Sequence, residues 1–127
     1  MNISHLDHLV LTVDDLEATT DFYTRVLGMR AVTFGEGRKA LAFGQQKINL
    51  HQAGREFEPR AGRPTPGSAD LCFIVATPLD EVVAHLERQG VARVEGPVQR
   101  TGATGPIRSV YVRDPDQNLI ELSQPIG

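Results

Sequence analysis

Apolar and polar positions alternate along Asp7-His8-Leu9-Val10-Leu11-Thr12-Val13, the period of a β-strand. The spacing then lengthens. Leu16, Tyr23, Val26 and Leu27 fall on one stripe of a helix. Asp14 is placed as its N-cap, with Glu17 three positions on as a capping box, and Gly28 stands where the helix should stop. About 62 residues later the same sequence of patterns returns. Ala69-Asp70-Leu71-Cys72-Phe73-Ile74-Val75 predicts a strand, and Leu79, Val82, Val83 and Leu86 predict an amphipathic helix ended by Gly90. Thr77 is placed as the N-cap, Pro78 at the first helical position, and Asp80 as a weaker capping box.

Strand-like segments follow each helix, at 29–35, 38–44 and 47–53 and again at 91–95, 106–113 and 118–124. The closing strands match: Ile48-Asn49-Leu50-His51-Gln52 against Ile120-Glu121-Leu122-Ser123-Gln124. The pattern is therefore α+β, with strand-helix-strand-strand-strand used twice. Module one covers 1–53 and module two 69–127 of a single domain, joined by the Pro-, Gly- and charge-rich linker 54–68. Arg100-Thr101-Gly102-Ala103-Thr104-Gly105-Pro106 is expected to be a mobile loop, and Asp114-Pro115-Asp116-Gln117-Asn118 a turn.

At 127 residues, with 40% apolar and 23% charged positions, the chain has the composition of one folded domain. A net charge of −3 argues against a nucleic-acid partner, which needs a basic face. No apolar run approaches the roughly 20 residues of a membrane span. The first residues show no basic and apolar signal regions, so a cytoplasmic protein is expected. The single cysteine, Cys72, cannot form an internal disulfide and reads as a small buried hydrophobe. His5 and His85 read as surface residues. Open sheet edges and a short chain lead us to expect a homodimer.

The segments Asp7-His8-Leu9-Val10-Leu11-Thr12-Val13, Asp21-Phe22-Tyr23 with Val26-Leu27-Gly28, and Asp114-Pro115-Asp116-Gln117-Asn118-Leu119-Ile120-Glu121-Leu122 resemble the vicinal oxygen chelate superfamily. That group includes glyoxalase I, extradiol dioxygenases, fosfomycin-resistance proteins and bleomycin-binding proteins. Within it the chain looks most like glyoxalase-domain-containing proteins of unassigned substrate. The resemblance implies two βαβββ modules forming a curved, partly open mixed β-barrel with flanking helices. It also implies a divalent metal (Fe, Ni, Zn, Mn or Co) held by the first and last strands of each module. His8 and Glu121 match the family pattern directly. Asn49 and Asp70 depart from it, since an acid and a histidine or glutamine usually stand there. His51, on the same strand face as Asn49 and about 7 Å further along, is the residue we place as the replacement ligand. The expected metal ligands are thus His8, His51 and Glu121.

Two imidazoles and a carboxylate suit a non-haem iron oxygenase, or Lewis-acid catalysis with another divalent ion. In a glyoxalase-type lyase or isomerase a carboxylate shuttles a proton between carbons, a role open to Glu121 or to Asp70. Alternation places Ser109 and Tyr111 on one face. The resemblance to fosfomycin-resistance enzymes makes both substrate contacts, and Tyr111 the leading catalytic assistant. Arg108 and Arg100 are candidates for anion contacts on charge alone. The leading expectation is a metal-dependent enzyme acting on a small oxygen-chelating molecule, by lyase or isomerase chemistry or by ring-cleaving dioxygenation. The alternatives are a non-catalytic binding protein of the bleomycin type and a fosfomycin-type transferase. Taken singly, each residue has a plainer reading: a strand histidine is usually hydrogen-bonded in place, Glu121 could face solvent, and Tyr111 could simply pack.

Overall fold

The computed structural model describes residues 1–127 and divides into two compact units, Met1–Gly67 and Ser68–Gly127. Each is a βαβββ module with one four-stranded mixed sheet. In the first, β1 (His8–Val13), β2 (Arg30–Phe34), β3 (Arg38–Phe43) and β4 (Gln46–Gln52) lie in the order β1-β4-β3-β2. The first strand pairs parallel to β4, and the rest are antiparallel. In the second, β5 (Asp70–Ile74), β6 (Glu95–Gly102), β7 (Gly105–Arg113) and β8 (Leu119–Pro125) repeat that arrangement as β5-β8-β7-β6.

The alternation read from sequence explains each core. Leu11, Val13, Leu41, Ile48 and Leu50 are buried on one side of the first sheet. Phe22, Tyr23 and Val26 are buried as well, on the helical segment between β1 and β2. In the second unit Val110, Val112, Ile120 and Leu122 are buried, as are Leu79, Val82 and Leu86 of helix α2 (Leu79–Arg88). At about 25 cal/mol per Å² these apolar faces are the main favourable term in folding. The opposite faces of β4 and β8, freed from packing on a helix, carry the polar residues.

Three local expectations are corrected. Helix α1 (Leu16–Asp21) is capped by Asp15, not Asp14: the Asp15 carboxylate accepts from the Ala18 N–H at 3.0 Å. Asp14 is one residue too early to reach that donor. The helix continues as a π-helical turn over Phe22–Val26 before Gly28, at φ 73°, ends it. Helix α2 makes no use of Thr77, and Pro78 is its cap rather than its first residue. The open Leu79 N–H is met instead by Gln124 Oε1 of β8 at 2.9 Å. Finally, the strand expected at 91–95 runs over Glu95–Gly102, into the segment expected to be a mobile loop, whose far end, Gly105-Pro106, opens β7. Ala103-Thr104 is the tip of a tight hairpin, with Gly102 paired to Gly105. Gly96-Pro97 forms a bulge between Glu95 and Val98 in an edge strand, where proline is tolerated.

Candidate functional site

The second unit gathers a connected polar group on one sheet face. Glu121 in β8 stands between Cys72 of β5 and Tyr111 of β7, and Ser123 stands between Ile74 and Ser109. Ser109 and Ser123 are fully buried, while Glu121 and Tyr111 are half-buried. Ser109 Oγ donates to Glu121 Oε2 at 2.6 Å. Its oxygen also meets Ser123 Oγ at 2.7 Å, and Ser123 Oγ meets Cys72 Sγ at 3.3 Å. A hydroxyl has one proton. With that of Ser109 given to the carboxylate, the Ser123 proton is shared between Ser109 Oγ and Glu121 Oε2, 3.4 Å away, and the Cys72 thiol donates to Ser123. The row of donors runs one way and ends at Glu121.

Tyr111 extends the group. Its hydroxyl accepts from Arg100 Nε at 3.0 Å, and Arg100 also pairs with Glu95 at 3.3 Å. Burial pushes the Tyr111 phenol above its usual range; the charge of Glu121 adds to this, and Arg100 opposes it. Cys72, expected to be a buried hydrophobe, is instead exposed on this face; partial desolvation still pushes its thiol up, the nearby charges of Glu121 and Asp70 add to this, and its bond to Ser123 opposes it. Both therefore stay protonated near neutrality. The backbone permits this crowding because residue 96 is glycine. It sits at φ 100°, and a Cβ there would lie 2.3 Å from the Ser109 carbonyl oxygen.

The other expected residues fall around this group or away from it. Asp70 shares its face but pairs with Leu119, two residues before Glu121, and is exposed. Arg108 alternates onto the opposite face from Ser109 and Tyr111 and is exposed, so Arg100 is the arginine in contact with the tyrosine.

In the first unit His8 and His51 are far apart. His8 is level with Lys47, whereas His51 is level with Thr12, four positions further along the same pair of strands. That offset is about 13 Å. The two imidazoles share a face but not a neighbourhood. The His8 side chain is 44% exposed, and its Nδ1 is bonded to Asp7 Oδ2 at 2.7 Å. The same bond is the main reason the Asp7 carboxyl sits below its usual range. With the Asp7 carboxylate accepting, Nδ1 carries a proton and Nε2 is the ring nitrogen left to other partners. His51 is 3% exposed and Asn49 5%. His51 Nε2 and Asn49 Oδ1 are buried with no hydrogen-bond partner. Burial first, then Arg38, holds the His51 imidazole neutral below its usual range.

Within neither unit do three His, Cys, Asp or Glu side chains gather to hold a metal ion. The individual donors nonetheless suit a divalent cation. A carboxylate behind the histidine, as at Asp7–His8, is the arrangement that orients metal-binding imidazoles, and Glu121 is steadied in the same way by Ser109. Ser123 and Arg38 were missed in the sequence. Same-face spacing from Glu121 could have flagged Ser123, but nothing local flags Arg38.

The family model described as Glyoxalase/Bleomycin resistance protein/Dioxygenase superfamily matches residues 5–122. The chain is 64% identical over 124 residues to Virulence protein STM3117 of Salmonella typhimurium, covering 98% of this chain and 86% of that one. The crystal structure of that protein matches with a TM-score of 0.98 over 99% of this chain and 100% of the other, at 63% identity. Glyoxalase domain-containing protein RDO1 of Mycosarcoma maydis is 61% identical over 123 residues, covering 97% of this chain and 69% of its own. More distant matches include a biphenyl-2,3-diol 1,2-dioxygenase, a probable lactoylglutathione lyase and TnmS3, an antibiotic binding protein of Streptomyces.

Proposed function

Because the chain belongs to the Glyoxalase/Bleomycin resistance protein/Dioxygenase superfamily, we propose that it is a divalent-metal-dependent enzyme acting on a small oxygen-chelating molecule. We assign His8 and Glu121 as metal donors. The observation that carries this is the Asp7 carboxylate bonded at 2.7 Å to His8 Nδ1, which leaves Nε2 free to donate to a metal. A bound divalent ion would act as a Lewis acid toward an enolate or catecholate oxygen. His51 is not assigned, because its offset from His8 along paired strands is too long for one ion.

The protein's own residues supply the rest. Tyr111, kept as a phenol, can donate to a substrate oxygen, and Arg100 fixes the orientation of its hydroxyl. Ser109 holds one oxygen of Glu121 in place. Asp70, exposed on the same face, is the carboxylate we assign to proton transfer in a lyase or isomerase reaction. Lyase chemistry and ring cleavage both remain within this assignment, since relatives bear both kinds of name.

Calorimetric titration of the untagged, chelator-treated chain with Zn²⁺, Ni²⁺, Mn²⁺ and Co²⁺ tests the reading. Saturable binding is expected, weakened in His8→Ala and in Glu121→Ala. Binding unchanged by both substitutions rules the assignment out. A second reading, a binding protein without catalysis, draws on the resemblance to the antibiotic binding protein TnmS3, 27% identical with a TM-score of 0.77. It predicts uptake of an aromatic drug that is unaffected by His8→Ala.

A further inference from the structure

We propose that the first unit carries a site for a small organic carboxylate, received by Arg38 and His51, with Asn49 taking a hydroxyl next to it. The inference does not depend on the metal.

It starts from two unmet polar atoms. Asn49 Oδ1 and His51 Nε2 are buried, lack partners, and lie two residues apart on one face of β4. Buried polar atoms are almost always satisfied, by protein, water or ligand. For Asn49 the flanks explain why the protein does not satisfy it. Asn49 lies between Val10 of β1 and Ala40 of β3, neither of which has a polar side chain.

The surroundings select the sign of the missing partner. The Arg38 guanidinium lies 4.8 Å from the Phe57 ring centre and 5.2 Å from that of Phe34. Lys47 Nζ lies 3.7 Å from the Phe34 ring centre, and His51 meets Phe57 edge-on at 5.6 Å. Neither Arg38 nor Lys47 makes an ion pair, in a chain whose net charge is −3. Glu56 lies near enough to oppose Arg38 at His51, but its carboxylate is engaged by the Gly54 N–H at 3.0 Å and by Arg60 at 4.0 Å. Arg38, which disfavours a proton on His51, also disfavours a metal cation there. A neutral imidazole can still present N–H at Nε2. An arginine fork and an imidazole N–H both suit an oxyanion, and the planar fork favours a carboxylate. Asn49 Oδ1 is an acceptor, so it calls for a donor on the ligand. A carboxylate with a neighbouring hydroxyl meets all three groups.

Long-range ¹H–¹⁵N spectra of the histidine rings read this directly in the full chain, freed of metal by chelation. His51→Gln identifies the resonances. Glycolate is the probe, with acetate and inorganic phosphate as comparisons. We expect glycolate to shift the His51 nitrogens saturably. Arg38→Gln should weaken binding at least about tenfold, the scale of one charge-assisted hydrogen bond. Arg38→Lys, which keeps the charge and loses the fork, should weaken it less. Asn49→Ala should abolish the preference for glycolate over acetate. The proposal is overturned if His51 shows no saturable shift, or if neither Arg38 variant changes it. Tighter binding of phosphate than of glycolate overturns the carboxylate assignment. A His51 Nε2 shift with Zn²⁺ but not with glycolate makes the residue a metal ligand instead. Because no metal is present in the main titration, failure here is separate from failure of the metal assignment.

Discussion

The two units share one topology and one register, and they treat the same positions in opposite ways. Asn49 in β4 and Glu121 in β8 occupy corresponding places, as do His51 and Ser123. In the second unit the neighbours of Glu121 are Cys72 and Tyr111, and its carboxylate, two serine hydroxyls and a thiol satisfy one another. In the first unit the neighbours of Asn49 are Val10 and Ala40, and the buried polar atoms go unmet. A repeated scaffold fixes where side chains stand. What flanks them across the sheet decides whether a buried polar group finds a partner there.

Substitutions can break this contrast. The largest effect is expected from Gly96→Ala, which would force a left-handed backbone on alanine and drive its Cβ into the Ser109 carbonyl. We expect a loss of about 2–4 kcal/mol in urea denaturation. Next comes Ser109→Ala. It deprives Glu121 of its shortest hydrogen bond and the Ser123 hydroxyl of its nearest partner, at a cost of about 1–3 kcal/mol by the same assay. Asn49→Leu should go the other way. Replacing an unmet buried amide with a similar apolar volume should be neutral or stabilise by about 1 kcal/mol. If Asn49→Leu destabilises as much as Ser109→Ala, the contrast between the units fails.

The smallest effect is a pH dependence. The folded chain holds His51 below the ordinary imidazole value, chiefly by burial. The unfolded chain then binds the extra proton first. Stability from this residue is intact above the ordinary value of about 6.5 and falls as pH drops below it, until the folded chain takes the proton as well. Urea midpoints at pH 7.5 and 5.5 should differ less in His51→Gln than in the natural chain.

Much of the fold was legible because its signals are local. Period-two alternation marked β1, β4, β5, β7 and β8, and glycines marked both helix ends. The β6 strand was not legible, because Gly96-Pro97 and Thr101-Gly102 punctuate an edge strand that tolerates them. The same division holds at the candidate site. That Ser109 and Tyr111 share a face follows from parity, which one strand reveals. That His8 and His51 stand about 13 Å apart follows from the register of β1 against β4, to which residues 39 positions apart contribute. Sequence gave the face of each histidine and not its height. Asp15 displaced Asp14 as a cap for a smaller reason of the same kind, since one residue decides whether a carboxylate reaches Ala18.

The one-way order of the hydroxyls has a last consequence. Ser109 and Ser123 have each spent their only hydrogen inward, so what Glu121 offers a visitor is lone pairs. That face welcomes species that arrive electron-poor, a metal cation above all, and turns away bare anions. The Arg38 face has the reverse taste and receives what is electron-rich.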